Sequence, residues 1–387
     1  MYDAVIDEVR GRAIRVGGHW LTDFASCNYL GFDLDPEIMD AIGRAIRRWG
    51  THPSWSRLLG NPRLYPEIEE RLTALTGAPD TLVLPTITHI HLSVLPILAG
   101  EGTIFVEQQA HRTIHDGAVH AKALGATVRR FWLTDLDRLA EDLAAAHSGY
   151  PRVVCLDGLN SMTGNVPDLP ALARLCRDHG AVLYVDDAHG FGVLGERRPD
   201  ETSPYGARGN GLVRHLGESY DGVVHVGGFS KAYSSLLAFL AVPTELKNRL
   251  KVSAAPYLYS GPSPVASLAG VLAGFDVNEA RGDALRAHLY RLAARLGEHV
   301  RALRLATPAA GDMPIVELPL ASGADLADVA RALWRDGIYA TVAAYPLVPR
   351  DQVGFRVQLT ALHTEEDLDR LLGVLTRLAG EGALRRR

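Results

Sequence analysis

The sequence predicts an α/β fold in which a mostly parallel central sheet is covered by helices and is followed by a smaller α+β domain. Short apolar runs alternate with helix-like segments through the middle of the chain, a pattern typical of βαβ units. After about Ser263 the pattern changes to long amphipathic helices and a few short strands. The length of 387 residues, with 47% hydrophobic positions, suits one large core and one smaller core.

The strands of the large sheet are predicted from short runs rich in Val, Leu and Ile. In order they read DTLVLPT (80–86), GTIFVEQ (102–108), ATVRRFWL (126–133), RVVCLDG (152–158), AVLYVDD (181–187) and GVVHVGGFS (222–230). Helical patterns lie between them, such as YPEIEERLTALTG (65–77) and LPALARLCRDHG (169–180). Ligands of such a sheet gather at the carboxyl ends of its strands.

The C-terminal part predicts two long helices, DALRAHLYRLAARLGEHVRALR and EEDLDRLLGVLTRLAG, with strands at PIVELPL and GFRVQLT between them. We therefore expect three parts: an N-terminal segment, 1–45, that packs on the small domain, a large domain, 46–263, and a small domain, 264–387. The stretch 196–211 is rich in Gly, Pro and charge and is predicted to be a surface loop, with a lid or a partner contact as the alternative.

Composition argues for a small-molecule substrate. The net charge of -5 gives no basic face for nucleic acid or anionic lipid. The three cysteines form no CxxC pair, which predicts neither a disulfide framework nor a thiolate metal site. The stretch from Leu82 to Leu98 holds two histidines and two prolines and is too short and polar for a membrane span. Without a signal-peptide pattern at the N-terminus, we expect a cytoplasmic protein.

Charged side chains follow two successive strands of the predicted sheet. YVDDAHGFGVLGE places Asp186 and Asp187 at a strand end with His189 just beyond, and the next strand ends in GGFSKA with Lys231. A buried acid needs a cation as partner. Because the carboxyl ends of parallel strands meet at one edge, Asp186 and Lys231 should face one cleft, where a protonated pyridine ring would satisfy both.

These residues resemble the α-oxoamine synthases, a group of fold-type I pyridoxal-phosphate (PLP) enzymes. The resemblance covers nearly the whole chain through seven stretches in the order of the family: SCNYLGF, SRLLGNPRLYPEIEERL, AHRTIHDG, LNSMTGNVPDLP, VDDAHGFGVLGE, GGFSKA and GFRVQLTALHTEEDLDRLL. The resemblance implies a fold like that of aspartate aminotransferase, PLP as the cofactor in the large domain, and no metal.

The resemblance also implies the roles of the central residues. Lys231 would form the Schiff base with PLP and later carry a proton, and Asp186 would pair with the pyridine nitrogen. His111 would stack on the ring, and His189 would hydrogen-bond its phenolic oxygen. Asp187 is interpreted as structural.

Further roles follow from the same resemblance. Ser161 would lie near the phenolic oxygen, Arg356 would bind the carboxylate of the amino acid, and Asn28 and Tyr29 would contact the substrate. The hydroxyl groups proposed to hold the cofactor phosphate belong to Thr86, Thr88, Ser230 and Ser260, the last reaching the phosphate of a partner subunit.

The sequence departs from the family at several positions. TITHIHL replaces a stretch resembling SGFxAN, so that Ile87 stands where glycine is usual and His91 stands where asparagine is usual. Gly228 replaces a threonine that contacts the phosphate, and Leu236 and Leu237 replace small residues after the lysine. A pocket role and a structural role for His91 both stay open.

The leading hypothesis is a PLP-dependent transferase that forms a carbanion from an α-amino acid and joins it to an acyl-thioester, in a specialised biosynthetic pathway. One alternative keeps the carbanion but uses elimination, replacement or a non-thioester electrophile, with S-adenosylmethionine as one amino-acid substrate. Another is a non-catalytic partner subunit. The resemblance implies a homodimer, and neither nucleic acid nor membrane is expected as a partner.

Overall fold

A computed structural model describes residues 3–147, 149–345 and 348–387. Its strands are β1 (Ile6–Arg10), β2 (Ala13–Val16), β3 (His19–Phe24), β4 (Asp80–Leu84), β5 (Thr103–Glu107), β6 (Thr127–Phe131), β7 (Arg152–Asp157), β8 (Val182–Asp186), β9 (Val223–Gly228), β10 (Ala238–Val242), β11 (Ile315–Pro319), β12 (Ile338–Ala343) and β13 (Gly354–Gln358).

The helices alternate with these strands through the middle of the chain. They are α1 (Pro36–Trp49), α2 (Leu64–Thr76), α3 (Ile87–Ala99), α4 (Arg112–Ala123), α5 (Leu136–Ala145), α6 (Leu169–Asp178), α7 (Leu212–His215), α8 (Thr244–Lys251), α9 (Ala255–Leu258), α10 (Val265–Val277), α11 (Asp283–Ala302), α12 (Leu326–Arg335) and α13 (Glu365–Gly380).

The chain divides into two compact units. The larger unit comprises Phe32–Asn160 and Val166–Asp283, and the smaller unit comprises Ser161–Asn165 and Ala284–Arg387 together with the N-terminal segment through Gly31. These limits differ from the predicted domain limits at 45 and 263. The difference arises because α10, which is apolar on all sides, packs against α1 and α2 within the larger unit.

The larger unit is built on a seven-stranded sheet in the order β4-β10-β9-β8-β7-β5-β6. Strands β9, β8, β7, β5 and β6 are parallel, whereas β10 runs antiparallel to both β4 and β9. The central strands β7, β8 and β9 are almost wholly buried, as expected for strands covered by helices on both faces. The predicted α/β class with a mostly parallel sheet is confirmed.

The smaller unit contains a six-stranded mixed sheet in the order β1-β2-β3-β12-β13-β11. One face carries apolar side chains such as Leu318, Phe355 and Val357, which pack against residues of α12 and α13, including Leu333 and Leu375. The opposite face carries polar side chains, because successive residues of a strand point to opposite sides. The predicted smaller α+β domain is thus present.

The apolar stretch from Leu82 to Leu98 forms the end of β4 and most of α3. Within the described ranges, no helix has the length and apolar character needed to cross a bilayer.

Candidate active site

Acidic side chains end three neighbouring parallel strands of the larger sheet. Glu107 ends β5, Asp157 ends β7 and Asp186 ends β8, and all three are buried. Lys231 lies just beyond β9, in the connection to β10. Since the carboxyl ends of parallel strands meet at one edge, the sheet brings these groups to one side.

Asp186 is held by two hydrogen bonds. His91 Nε2 lies 2.9 Å from Asp186 Oδ2, and the backbone N–H of Ala188 donates to Oδ1 at 3.0 Å. His91 Nδ1 lies 2.8 Å from the hydroxyl of Tyr184, which precedes Asp186 by two residues on β8. Burial opposes ionisation of Asp186, but the hydrogen bonds from His91 and Ala188 outweigh it, and the pKa of Asp186 is lowered.

The pKa values of the two neighbouring carboxyl groups, Asp157 and Glu107, are shifted in the opposite direction. Burial, reinforced by the charges of Asp186 and Glu107, raises the pKa of Asp157 well above its ordinary value, although Asp157 accepts hydrogen bonds from the His111 backbone and Asn160. Burial also raises the pKa of Glu107 to about 7. Of these three carboxyl groups, Asp186 is the one whose ionised form the surroundings favour.

His111 stands at the N-cap of α4, beside the strand ends. Its Nδ1 lies 2.8 Å from the hydroxyl of Thr113. Desolvation by the surrounding protein lowers the pKa of His111, and the charge of Lys231 acts in the same direction, while Asp186 opposes them. A neutral imidazole with electrostatic coupling to both Asp186 and Lys231 therefore faces this edge of the sheet.

The N-terminus of α3 reaches the same edge. Thr86 caps this helix, and its hydroxyl accepts a hydrogen bond from the backbone N–H of His89 at 3.2 Å. Thr88, in the first turn, is exposed. The free N–H groups of a helix N-terminus and its positive dipole end favour a negatively charged ligand group.

A glycine brings this helix close to the segment that carries the lysine. A methyl group built on Gly228 would lie 2.6 Å from Cδ1 of Ile87 and 3.8 Å from the hydroxyl of Ser230. The side chain of Ile87 thus occupies the space above Gly228, next to a hydroxyl that precedes Lys231 by one residue.

Two other residues of the predicted motif lie inside the protein. Asp187 is fully buried, where its carboxylate accepts from the backbone N–H of Leu212 at 2.7 Å and lies 3.1 Å from Nε2 of His225. These contacts support the structural interpretation of Asp187. His189 is buried in the turn after β8.

The remaining predicted substrate residues lie in the smaller unit. Arg356 on β13 donates from Nη1 to the backbone oxygen of Ser161 at 2.7 Å, so the fold brings this predicted pair together. Its Nε is buried and has no hydrogen-bond partner in the described part of the chain. Opposite Arg356 on β11 stands Glu317, which is fully buried and likewise lacks a hydrogen-bond partner among described residues at both carboxylate oxygens.

The SCNYLGF stretch packs beside this pair on the same sheet. The side chain of Gln358 accepts from the thiol of Cys27 at 2.7 Å and from the hydroxyl of Tyr29 at 3.5 Å. Tyr29 is fully buried, whereas Asn28 is half-buried. Ser260 belongs to the larger unit, in the segment before α10, and its hydroxyl donates to the Gly261 carbonyl at 3.0 Å.

Sequence reasoning missed four residues of these clusters: His91 as a partner of Asp186, together with Glu107, Asp157 and Glu317. The signal that identified Asp186 also exists for Glu107 and Asp157, because RVVCLDG and GTIFVEQ each carry an acid directly after the apolar run. No group of three or more His, Cys, Asp or Glu side chains suited to a metal ion occurs in the part of the chain that the structure describes.

Comparison with known proteins identifies the family. Residues 21–375 match the family described as aminotransferase class I and II. The chain is 31% identical to the 8-amino-7-oxononanoate synthase of Methylobacillus flagellatus over 97% of this chain and 91% of the relative. It is 35% identical to the synthase of the same name from Chromohalobacter salexigens, over 90% of this chain and 87% of the relative.

Solved structures share the fold. The serine palmitoyltransferase of S. paucimobilis, solved with bound PLP–myriocin aldimine, superposes on this chain with a TM-score of 0.88 at 22% sequence identity. The superposition covers 98% of this chain and 92% of the serine palmitoyltransferase chain. The 8-amino-7-oxononanoate synthase of Francisella tularensis gives a TM-score of 0.76 at 21% identity, with 93% and 97% coverage. The chain therefore belongs to the α-oxoamine synthase group of the class I and II aminotransferase family and is a PLP-dependent transferase.

Proposed function

We propose that this enzyme binds PLP at the strand ends of the larger unit and joins the α-carbon of an amino acid to the acyl group of a thioester. The observation that carries the proposal is the buried carboxyl group of Asp186 at the end of β8, hydrogen-bonded to His91. Lys231 lies just beyond the neighbouring strand β9, and His111 lies at the N-cap of α4 beside the same strand ends. When bound, PLP supplies a protonated ring that stabilises negative charge at the α-carbon of the amino acid.

The residues of this edge suit that cofactor. Asp186 would hold the pyridine nitrogen in its protonated form, and the imidazole of His111 would cover the ring. His189 and Ser161 would contact the phenolic oxygen. The amine of Lys231 would hold the cofactor and then remove or return the proton at the α-carbon, a task that suits an amine in a partly desolvated cleft.

The phosphate would lie at the N-terminus of α3. The helix dipole and the hydroxyl groups of Thr86, Thr88 and Ser230 favour it there. The contact between Ile87 and Gly228 supports this placement, because it brings Ser230 next to the first turn of α3. Ser260 of a second copy would complete the phosphate site.

Arg356 would bind the α-carboxylate of the amino acid. Its Nη1 donates to the Ser161 carbonyl, which orients a guanidinium whose planar fork suits a carboxylate. Asn28 and Tyr29 would contact the same substrate. The acyl-thioester is inferred from the synthases and the serine palmitoyltransferase to which the chain is similar.

A homodimer fits the exposed apolar surface of the larger unit. The large side chains that are more than half exposed include Trp55, Leu58, Leu59, Leu236 and Tyr259. The backbone N–H of Val265 donates to the carbonyl of Thr51 at 3.1 Å, which joins the two segments carrying four of them. We propose that these side chains belong to the surface that meets the second copy. We place the dimer in the cytoplasm, consistent with three free cysteines.

Reductive trapping tests the cofactor site directly. The chain contains four lysines, Lys122, Lys231, Lys247 and Lys251, so borohydride reduction of the PLP-loaded protein followed by peptide mass spectrometry can assign the modified lysine. We expect the label on Lys231 and its loss in Lys231→Ala. The control variant Lys122→Ala, at an exposed position of α4, should be labelled like the wild type. Label on any other lysine would refute the assignment.

Substrates are then identified by exchange and by product. Each proteinogenic amino acid and S-adenosylmethionine is incubated with enzyme in D2O, and loss of the α-proton is followed by NMR. The matching amino acid is then combined with acyl-thioesters, and free thiol and α-amino ketone are measured. Thioester-dependent product supports the proposal. Ammonia, a keto acid or a released side-chain group without thioester would instead indicate elimination or replacement.

A further inference from the structure

A buried chain of polar groups stands behind Asp186. Tyr184, His91 and Asp186 have relative exposures of 0%, 0% and 5%. The distances are 2.8 Å from the Tyr184 hydroxyl to His91 Nδ1 and 2.9 Å from His91 Nε2 to Asp186 Oδ2. A buried histidine with both ring nitrogens in contact has its orientation fixed from two sides.

With Asp186 ionised and His91 neutral, the two contacts specify where the protons are. A carboxylate only accepts hydrogen bonds, so Nε2 of His91 must donate to Asp186. In a neutral imidazole Nδ1 then accepts, and the donor is the hydroxyl of Tyr184. Burial raises the pKa of Tyr184 well above its ordinary value, which keeps this hydroxyl protonated. Each polar atom of this chain is thereby satisfied, and the carboxylate keeps its full negative charge.

His91 also distinguishes Asp186 from its neighbours. Asp157 and Glu107 are buried at the same sheet edge but accept hydrogen bonds from backbone and amide groups without an imidazole partner in the described chain. Their pKa values are raised, whereas that of Asp186 is lowered. The hydrogen bond from the imidazole is a difference in environment that favours the ionised form of Asp186.

The backbone around His91 is fixed by helix packing. Helix α3 packs against α4, and a methyl group built on Gly117 of α4 would lie 2.5 Å from the carbonyl oxygen of His91. The absence of a side chain at Gly117 allows the two helices to approach at the level of His91. The same helix α4 begins directly after His111, so the helix that packs on α3 at His91 also carries His111 at its N-cap.

We propose that His91 is a positioning residue that keeps the Asp186 carboxylate ionised and oriented, with Tyr184 fixing the tautomer of His91. The consequence for the cofactor rests on the proposed function: an ionised Asp186 keeps the ring nitrogen of PLP protonated. The effect on Asp186 itself does not depend on PLP.

The test compares His91→Leu, His91→Gln and Tyr184→Phe with the wild type. In the PLP-loaded enzyme, 15N NMR of ring-labelled cofactor reports protonation of the ring nitrogen, and 13C NMR of labelled aspartate reports the Asp186 carboxylate, assigned with Asp186→Asn. Without a donor at position 91, we expect the proton affinity of Asp186 to rise about tenfold or more, the ring nitrogen to lose its proton at neutral pH, and PLP to bind about tenfold more weakly.

The other two variants separate positioning from packing. Glutamine can still donate to Asp186, so His91→Gln should restore most of the wild-type signal. Tyr184→Phe leaves Nδ1 of His91 without its donor, and a smaller shift in the same direction is expected. If His91→Leu does not fold, Tyr184→Phe still decides, because an unchanged Asp186 titration in that folded variant would overturn the proposal.

The experiments distinguish a wrong cofactor assignment from a wrong role for His91. Wild-type protein that does not take up PLP would contradict the cofactor site, while titration of Asp186 in the cofactor-free chain would still test His91. A folded His91→Leu variant with wild-type titration of Asp186 would overturn the role of His91 whatever happens to PLP.

Discussion

The side chain of Ile87 occupies the space that a side chain at residue 228 would need, with its Cδ1 2.6 Å from a methyl group built on Gly228. These are two of the positions at which the sequence departs from its family, glycine to isoleucine and threonine to glycine. The two positions are in contact, so a side chain at residue 228 and the side chain of Ile87 compete for the same space.

This contact predicts coupling between the two positions. Gly228→Thr should destabilise the fold by about 1 kcal/mol, because the end of the Ile87 side chain must move to admit the new side chain. The double variant Ile87→Ala/Gly228→Thr should regain most of that loss, since removal of Ile87 clears the space. Chemical denaturation of the wild type, both single variants and the double variant gives the coupling free energy. Additive effects would show that the contact does not link the two substitutions.

The packing of α3 on α4 predicts an asymmetric response to adding one methyl group. Gly117→Ala would place its Cβ 2.5 Å from the backbone oxygen of His91, and a backbone atom cannot rotate away, so we expect a loss of more than about 2 kcal/mol in unfolding free energy.

Gly373→Ala is the matched control for that variant. Gly373 lies on the exposed side of α13, where a methyl group would meet no atom within 4 Å. This variant should gain about 0.5–1 kcal/mol from the better helix propensity of alanine. Equal effects of the two substitutions on the denaturation midpoint would contradict the close approach at Gly117.

Sequence reasoning succeeded where a strand end determines position. Asp186 and Lys231 could be assigned to one edge because parallel strands bring their carboxyl ends together. His91 could not be assigned, since its partner depends on how α3 packs on the sheet and not on any local pattern. Strand β10, with the sequence AFLAV, was also missed. Its apolar run does not show that the strand lies between β4 and β9 and is antiparallel to both.

The smaller unit was harder to predict from sequence. Strands β1 to β3 at the N-terminus were not predicted as strands, because β1 is mostly exposed and lacks a regular alternation of apolar residues. The register that sets Glu317 opposite Arg356 is a property of strand pairing, which no single strand displays. The family resemblance supplied Arg356 but gave no reason to expect a buried acid beside it.

Substituting the predicted carboxylate-binding arginine should affect substrate binding more than turnover. In Arg356→Lys the contact with the Ser161 carbonyl and the planar fork for a carboxylate are both lost, so we expect KM for the amino acid to rise about tenfold or more with a smaller change in kcat. Arg331→Lys, at an exposed helix position paired with Asp328, is the control. An unchanged KM in Arg356→Lys would place the carboxylate elsewhere.

The unpartnered acid beside that arginine predicts how stability depends on pH. Burial raises the pKa of Glu317 from 4.5 to about 7, although the charges of Arg356 and Arg385 oppose it. The folded state therefore binds this proton more tightly than the unfolded state, so the stabilisation is complete below pH 4.5 and is lost as the pH rises through 7. The total loss in unfolding free energy from this one group is about 3 kcal/mol.

Glu317→Gln removes this titration and keeps a neutral side chain of the same size. We expect it to match the wild type near pH 5 and to exceed it in unfolding free energy by up to about 3 kcal/mol at pH 8. Glu366→Gln, at an exposed position of α13, should follow the wild type throughout. Urea denaturation at pH 5, 6, 7 and 8 measures the difference. A difference in unfolding free energy between Glu317→Gln and the wild type that stays constant with pH would mean that Glu317 does not titrate in this range. A variant less stable than the wild type at pH 8 would show that Arg356 stabilises the ionised carboxylate.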